Sequence, residues 1–152
     1  DLNTAWNDTA PTSNVFSIGS LADVNRNGRN LIAYCFHSVE SYSKVGSYTG
    51  NGSTDGPFIY TGFRPAWVLV KSSTQAYEWL LHDTARDPFN FADNSISPND
   101  ATAEAVNGAP NSIDILSNGF KIRANWTRLN DVGQTFIYLA FAENPFKYSN
   151  AR

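Results

Sequence analysis

The stretch Ile113-Asp114-Ile115-Leu116-Ser117-Asn118-Gly119-Phe120-Lys121-Ile122, IDILSNGFKI, decides the fold class. Two short apolar runs alternate in and out on either side of Ser117-Asn118-Gly119. Asn and Gly accept positive φ cheaply, so this break reads as a tight β-hairpin turn. Working outward, runs of the same kind recur at Val15–Ile18, Asn30–Ser38, Phe58–Gly62, Trp67–Ser72, Glu78–Asp83, Ile113–Leu116, Phe120–Ala124 and Thr135–Ala142. Turn residues separate them, and no stretch sustains a 3.6-residue apolar period between capping signals. The expected fold is therefore all-β: an antiparallel β-sandwich of about eight strands, with long loops and at most a short helix. The glycine-rich run from Gly46 to Pro57 (GSYTGNGSTDGP) reads as a loop. Residues 87–112 form the longest irregular region, with Asp100–Val106 as a weak helix candidate.

Composition narrows the class further. The chain has 152 residues, aromatics reach 14%, Asn occurs 17 times and Lys four times. Asn, Gly, Ser and Thr in loops, with aromatic and β-branched residues in short runs, suit an all-β surface protein. A net charge of −3, with eleven scattered basic residues, argues against a nucleic-acid partner. No apolar stretch approaches the roughly 18 residues that a membrane-spanning helix needs, so no membrane insertion is expected. Met is absent and the N-terminus shows no signal-peptide pattern, as expected of a processed product or a segment of a longer chain. The single Cys35 lies in the apolar string LIAYCFHS and is expected to be a buried thiol acting as a small hydrophobe.

Two segments share a pattern. VFSIG, a polar loop and NLIAYCFHS match GFKIR, a polar loop and TFIYLAFAE. Phe16 falls on Phe120 and Ile18 on Ile122. After a one-residue gap, Ile32 falls on Ile137, Phe36 on Phe141 and Ser38 on Glu143. A true duplication would make residues 1–42 the closing hairpin half of a preceding repeat unit and residues 43–152 a complete sandwich unit. The alternative assigns residues 1–42 as N-terminal strands of the same sandwich. An orphan hairpin would dock on the second unit or complete a neighbour's sheet.

Reactive chemistry is sparse. His37 and His82 stand 45 positions apart at predicted strand ends with no ligand spacing around them. Neither a nucleophile elbow nor a phosphate-binding glycine loop is present. Asp83, Asp87 and Asp93 surround Arg86 in DTARDPFNFADN. Turn stabilisation and pairing with Arg86 is the expected role; an oxygen-ligand metal site or an acid pair for glycoside cleavage are the alternatives. No cofactor is expected. Aromatics lead further. Trp67 and Trp79 alternate with aliphatics and belong in the core. Trp6, Tyr42, Tyr48, Trp126 and Tyr148 sit among polar residues, where exposed rings stack on sugars or anchor interfaces. With the loop residues Asn51 and Asp55, the rings Trp6, Tyr42, Tyr48 and Trp126 form the expected binding set. Asn7, Asn51 and Asn125 open N-x-S/T sequons.

Four strings resemble a known family when taken together in order: GSYTGNGSTDGPFIYTGFRPAWVLVK, the W-x-L-x-D-T-A-R-D-P-F-N pattern, DILSNGFKIR and TFIYLAFAENPFK. WNDTAPTSNVFSIG and the YCF segment extend the likeness to nearly the whole chain. It resembles an uncharacterised repeat domain of tail and other structural proteins of tailed bacteriophages, many of them marine or metagenomic. The resemblance implies a virion part in which the unit recurs in tandem; it supplies no catalytic or binding residues. The expected function is thus a non-enzymatic virion structural protein at the virion surface, a tail fibre, spike or head-decoration module with a possible role in host attachment. Its expected partners are copies of itself, as a trimer by analogy with tail fibres, other virion proteins and a bacterial surface glycan. A lectin-like carbohydrate-binding module is the alternative. A polysaccharide-degrading tailspike-type enzyme, with Asp55, Asp83, Asp87 or Asp93 as its acids, is the second.

Overall fold

The computed structural model describes residues 2–106 and 110–146. The chain divides into two units, Asp1–Cys35 and Phe36–Arg152. The boundary falls a few residues before the one expected at 42.

The second unit is the sandwich. Its strands are β1 (Ser43–Thr49), β2 (Phe58–Tyr60), β3 (Pro65–Ser72), β4 (Leu80–Asp83), β5 (Ile113–Leu116), β6 (Gly119–Ile122) and β7 (Thr135–Ala142). One sheet runs β1-β7-β3-β4 and the other β2-β6-β5, with every pairing antiparallel. The SNG break closes the β5–β6 hairpin as expected, pairing Leu116 with Gly119 and Ile113 with Ile122. Between the sheets lie Phe120, Ile113, Ile115 and Ile122 from one layer and Val68, Val70, Phe136, Tyr138 and Ala140 from the other. Phe120 is fully buried and meets the ring of Tyr138 edge-on, with centroids 5.4 Å apart. Each such side chain contributes roughly 1.5–3 kcal/mol by leaving water.

Strand β1 departs from expectation: its second half falls in the glycine-rich run from Gly46 to Pro57 that reads as a loop, and its first half in no expected strand. Gly46 is instead required inside the strand. A Cβ there would lie 2.7 Å from the Tyr138 hydroxyl oxygen, whose ring covers the position. The helix expected at Asp100–Val106 is absent among the described residues. That segment is irregular, and one isolated bridge pairs its Ala105 with Ser95 in the same long connection. A single turn of helix, α3 (Thr127–Asn130), stands instead between β6 and β7.

Asn130, at the end of α3, ties the glycine-rich loop to the sandwich. It is fully buried. Its Oδ1 accepts from Asn51 N at 2.8 Å, and its Nδ2 faces Asn51 Oδ1 (3.0 Å), Ser53 O (2.8 Å) and Ala124 O (2.8 Å). Its own carbonyl accepts from Gly52 N at 2.9 Å. The loop approaches so closely that a Cβ at Gly50 would stand 2.2 Å from Asp131 O, which explains the glycine there.

The first unit holds α1 (Leu2–Trp6), α2 (Ala22–Asn25) and extended chain. The amides of Gly19 and Leu21 donate to Ala5 O and Thr4 O, 2.8 Å each. The strands expected at Val15–Ile18 and Asn30–Ser38 are not formed. Residues 30–36 make no backbone–backbone hydrogen bond among the described residues. An apolar alternation becomes a strand only when a neighbour pairs with it. Cys35, expected to be buried, is exposed for the same reason.

Candidate interaction surfaces

The residues singled out from the sequence fall into different environments. Tyr48, expected at the surface, is a correction: it lies inside, stacked on Phe136 with centroids 5.2 Å apart. Its hydroxyl donates to Leu129 O at 2.7 Å, and burial raises its pKa well above the usual phenol value. Strand alternation in SKVGSYT turns positions 44, 46 and 48 inward, which outweighs the polar neighbours of Tyr48. Trp126 is half-buried rather than free. The Arg128 guanidinium lies over its ring, 4.6 Å from the centroid. Asn51 spends its side chain on structural bonds, accepting from Ser53 N and Asn130 Nδ2 and donating to Asp55 O, 3.0 Å each. Trp6 is exposed at the end of α1 in the first unit. Tyr148 lies outside the described residues.

Two of the three aspartates around Arg86, Asp83 and Asp87, take on turn work. Asp83 Oδ1 accepts from Ala85 N and Arg86 N, and its Oδ2 pairs with Arg86 at 2.5 Å. Asp87 accepts from Asn94 N at 2.8 Å and from Asn94 Nδ2 at 2.6 Å. Arg86 also pairs with Glu104 at 2.8 Å. Among the described residues no group of three or more His, Cys, Asp or Glu is placed to hold a metal ion. His82 sits fully buried on β4. Its Nε2 donates to Asn111 O at 2.7 Å, while Nδ1 has no partner among the described residues.

Two outer faces stand out. On the four-stranded sheet, register places Val45, Leu139 and Leu69 in one row, Phe141 and Trp67 in the next, and Ser47, Ile137 and Lys71 in a third. A sheet face turned to water normally carries polar side chains; here apolar ones dominate, with Val45 and Ile137 about two-fifths exposed. Aromatic rings extend the patch. Trp67, expected in the core, lies on this outer face instead, 5.5 Å from Phe141; Tyr42 meets Phe141 edge-on at 5.7 Å and stacks on Phe146 at 5.4 Å. Phe36 adds an edge contact to Phe141 at 6.0 Å. Of the expected binding set, Tyr42 alone belongs to this face.

The three-stranded sheet presents a different outer face. Phe58, Lys121 and Asp114 share one row, and Tyr60 sits beside Gly119 in the next. Tyr60 is 64% exposed and Phe58 46%, because Ile59 between them takes the inward position. Asp55 joins them through Lys121 at 2.7 Å, and that hydrogen bond and charge lower its carboxyl pKa. Arg123 pairs with Asp114 at 3.4 Å and lies 5.6 Å from the centre of the Phe91 ring. Phe58, Tyr60 and Lys121 were not singled out from the sequence. The signal was available: a strand as short as Phe58-Ile59-Tyr60 can bury only one alternation, and the aliphatic residue takes it.

Residues 2–145 match the model of a family described as a domain of unknown function, DUF7483. No curated protein and no solved structure matches the chain. No helix among the described residues is long and apolar enough to cross a membrane.

Proposed function

The chain belongs to the DUF7483 family. We propose, on the resemblance of its sequence strings to phage structural proteins, a non-enzymatic role as a structural module of a bacteriophage virion, a fibre, spike or decoration unit at the particle surface. The phage assignment is supported by the ordered strings GSYTGNGSTDGP, DILSNGFKIR and AFAENPFK. The structural role is carried by one observation, the apolar outer face of the β1-β7-β3-β4 sheet. Such a patch on a soluble molecule marks a contact surface. Its occupant in this reading is another copy of the chain, arranged by rotational symmetry as a trimer. The expected result is a defined oligomer in sedimentation equilibrium. Val45→Lys with Ile137→Lys, at two partly exposed positions, converts it to a monomer with an unchanged melting temperature. A wild-type protein that stays monomeric up to about 100 µM, a weak-association concentration, refutes the reading.

Carbohydrate binding is the second reading, favoured by the other sheet. Phe58 and Tyr60 are exposed beside Asp55, Lys121 and Arg123, the mixture of ring faces and hydrogen-bonding groups that a sugar requires. Bacterial surface polysaccharide is then the ligand, and Tyr60→Ala weakens its binding about tenfold, the worth of one aromatic contact. A Tyr60→Ala protein that binds polysaccharide as well as wild type, or a wild type that binds none in titration calorimetry, removes this reading.

A further inference from the structure

One turn of the first unit reproduces, bond for bond, a turn of the second. Helix α2 and helix α3 are built alike. Val24 N and Asn25 N donate to Leu21 O at 3.1 and 2.9 Å, as Leu129 N and Asn130 N donate to Trp126 O at 3.0 and 2.7 Å. Asn25 Nδ2 donates to Gly19 O at 2.8 Å, as Asn130 Nδ2 does to Ala124 O at 2.8 Å. Arg29 N reaches Arg26 O and Gln134 N reaches Asp131 O, 3.2 Å each. Gly28 and Gly133 share φ of +72°. Every one of these pairs lies 105 positions apart. Upstream of the one-residue gap, Thr12 N donates to Val15 O at 2.8 Å, where Leu116 pairs with Gly119 across the β5–β6 turn.

Local geometry is kept, but burial is not. Phe120 and Ile122 are fully buried, whereas their counterparts Phe16 and Ile18 are 45% and 44% exposed. Phe136 is fully buried, and its counterpart Leu31 is 52% exposed. Ala140 is fully buried, and its counterpart Cys35 is exposed. Asn130 holds the glycine-rich loop through Asn51 and Ser53. Asn25 keeps the bond within its turn and, among the described residues, makes none of the loop contacts.

We infer that residues 15–38 are the β6–β7 portion of a second sandwich, and that their partner is a half-sandwich of the same family carrying equivalents of β1 to β5 and of the Gly50–Gly56 loop. Strand 30–38 inserts between the partner's β1-like and β3-like strands, where β7 lies in the complete unit. Phe16, Ile18, Leu31, Ala33 and Cys35 then face its core. A second intact copy cannot be the partner, because its β7 already occupies that slot. This inference stands apart from the proposed assembly through the outer sheet face, with which it shares only Phe36.

The test uses Cys35, the only cysteine in the chain, as a reporter. The full chain is compared with the same chain extended at its N-terminus by a second copy of residues 43–117. In the unextended protein Cys35 reacts with a disulfide reagent at the rate of a free thiol, and the amides of 31–37 exchange freely. In the extended protein both rates fall by about 100-fold or more, since burial denies access. Equal thiol reactivity in the two proteins overturns the inference. So does a Cys35 already protected in the unextended chain. A second measurement does not depend on the extension folding. Phe16→Asp with Leu31→Asp in the full chain leaves the melting temperature of the sandwich in place. A drop of more than roughly 5 °C, about 1 kcal/mol for a domain of this size, shows that these side chains pack within the chain and refutes the inference.

Discussion

Asn130→Ala is expected to destabilise the sandwich by about 3 kcal/mol, from the lost buried amide, the one buried carbonyl it leaves unpaired (Ala124 O) and two part-buried loop bonds. The substitution removes a fully buried amide and strands Asn51 N, Ser53 O and Ala124 O, which it had satisfied. Each orphaned buried group costs roughly 1–3 kcal/mol, partly relieved where water enters at the loop. The expected fall in melting temperature is on the order of 15 °C. The loss is local in origin: the Gly50–Gly56 loop detaches first, so amide exchange at Asn51 and Gly52 accelerates more than exchange in β3 or β7. Asn130→Asp distinguishes packing from hydrogen bonding. It keeps the shape and the acceptor for Asn51 N but faces Ser53 O and Ala124 O with lone pairs, so it is expected to be no better tolerated than Ala. A melting temperature within a few degrees of wild type for Asn130→Ala would show that the loop is held by other contacts, chiefly Gly50 N to Gln134 O and Gly133 N to Gly50 O.

The sandwich was legible where local chemistry and tertiary pairing agree. Ile113–Leu116 and Thr135–Ala142 have the bounds that alternation assigns them, and Asn118-Gly119 fixes their neighbour's turn. Legibility failed where a residue's role depends on what lies across from it. Gly46 reads as a loop residue until the Tyr138 ring is seen above it. Tyr48 reads as exposed until β1 pairs with β7 and brings it against Phe136. At Val15–Ile18 and Asn30–Ser38 the alternation specifies strands, but pairing partners are not present among the described residues, so no sheet ladder forms there. Asn130 carried no signal either, since one Asn among 17 looks like another until burial separates it. The candidate surfaces were read in part. Tyr42 and Asp55, singled out from the sequence, lie on these faces, whereas Val45, Leu69, Ile137, Tyr60 and Lys121 were hidden, because alternation tells which residues share a face but not which face meets solvent.

Lowering the pH from 7 to 4 is expected to remove about 3 kcal/mol of stability through His82 alone, and the sign follows from burial. Desolvation pushes the imidazole pKa down from 6.5 to about 4, opposed by the hydrogen bond to Asn111 O and by the charges of Asp83 and Asp93, and assisted by Arg86. The folded pKa is below the unfolded one, so the unfolded chain binds the proton more readily between those values. The contribution is complete above pH 6.5 and is lost as pH falls through 4. A shift of that size corresponds to roughly 3 kcal/mol. The carboxyls of Asp55 and Asp100 are lowered by Lys121 and by Thr102 respectively, and they also favour the folded state less as acid is added. Comparison with His82→Gln separates the two, because Gln does not titrate while the carboxyls are common to both proteins. Urea midpoints measured from pH 7 to 4 should fall steeply for wild type and shallowly for His82→Gln, with the curves converging or crossing near the acid end. Parallel curves would mean that the imidazole reaches water when protonated. The unpartnered Nδ1 inside the β4 layer would then open to solvent without unfolding the sheet.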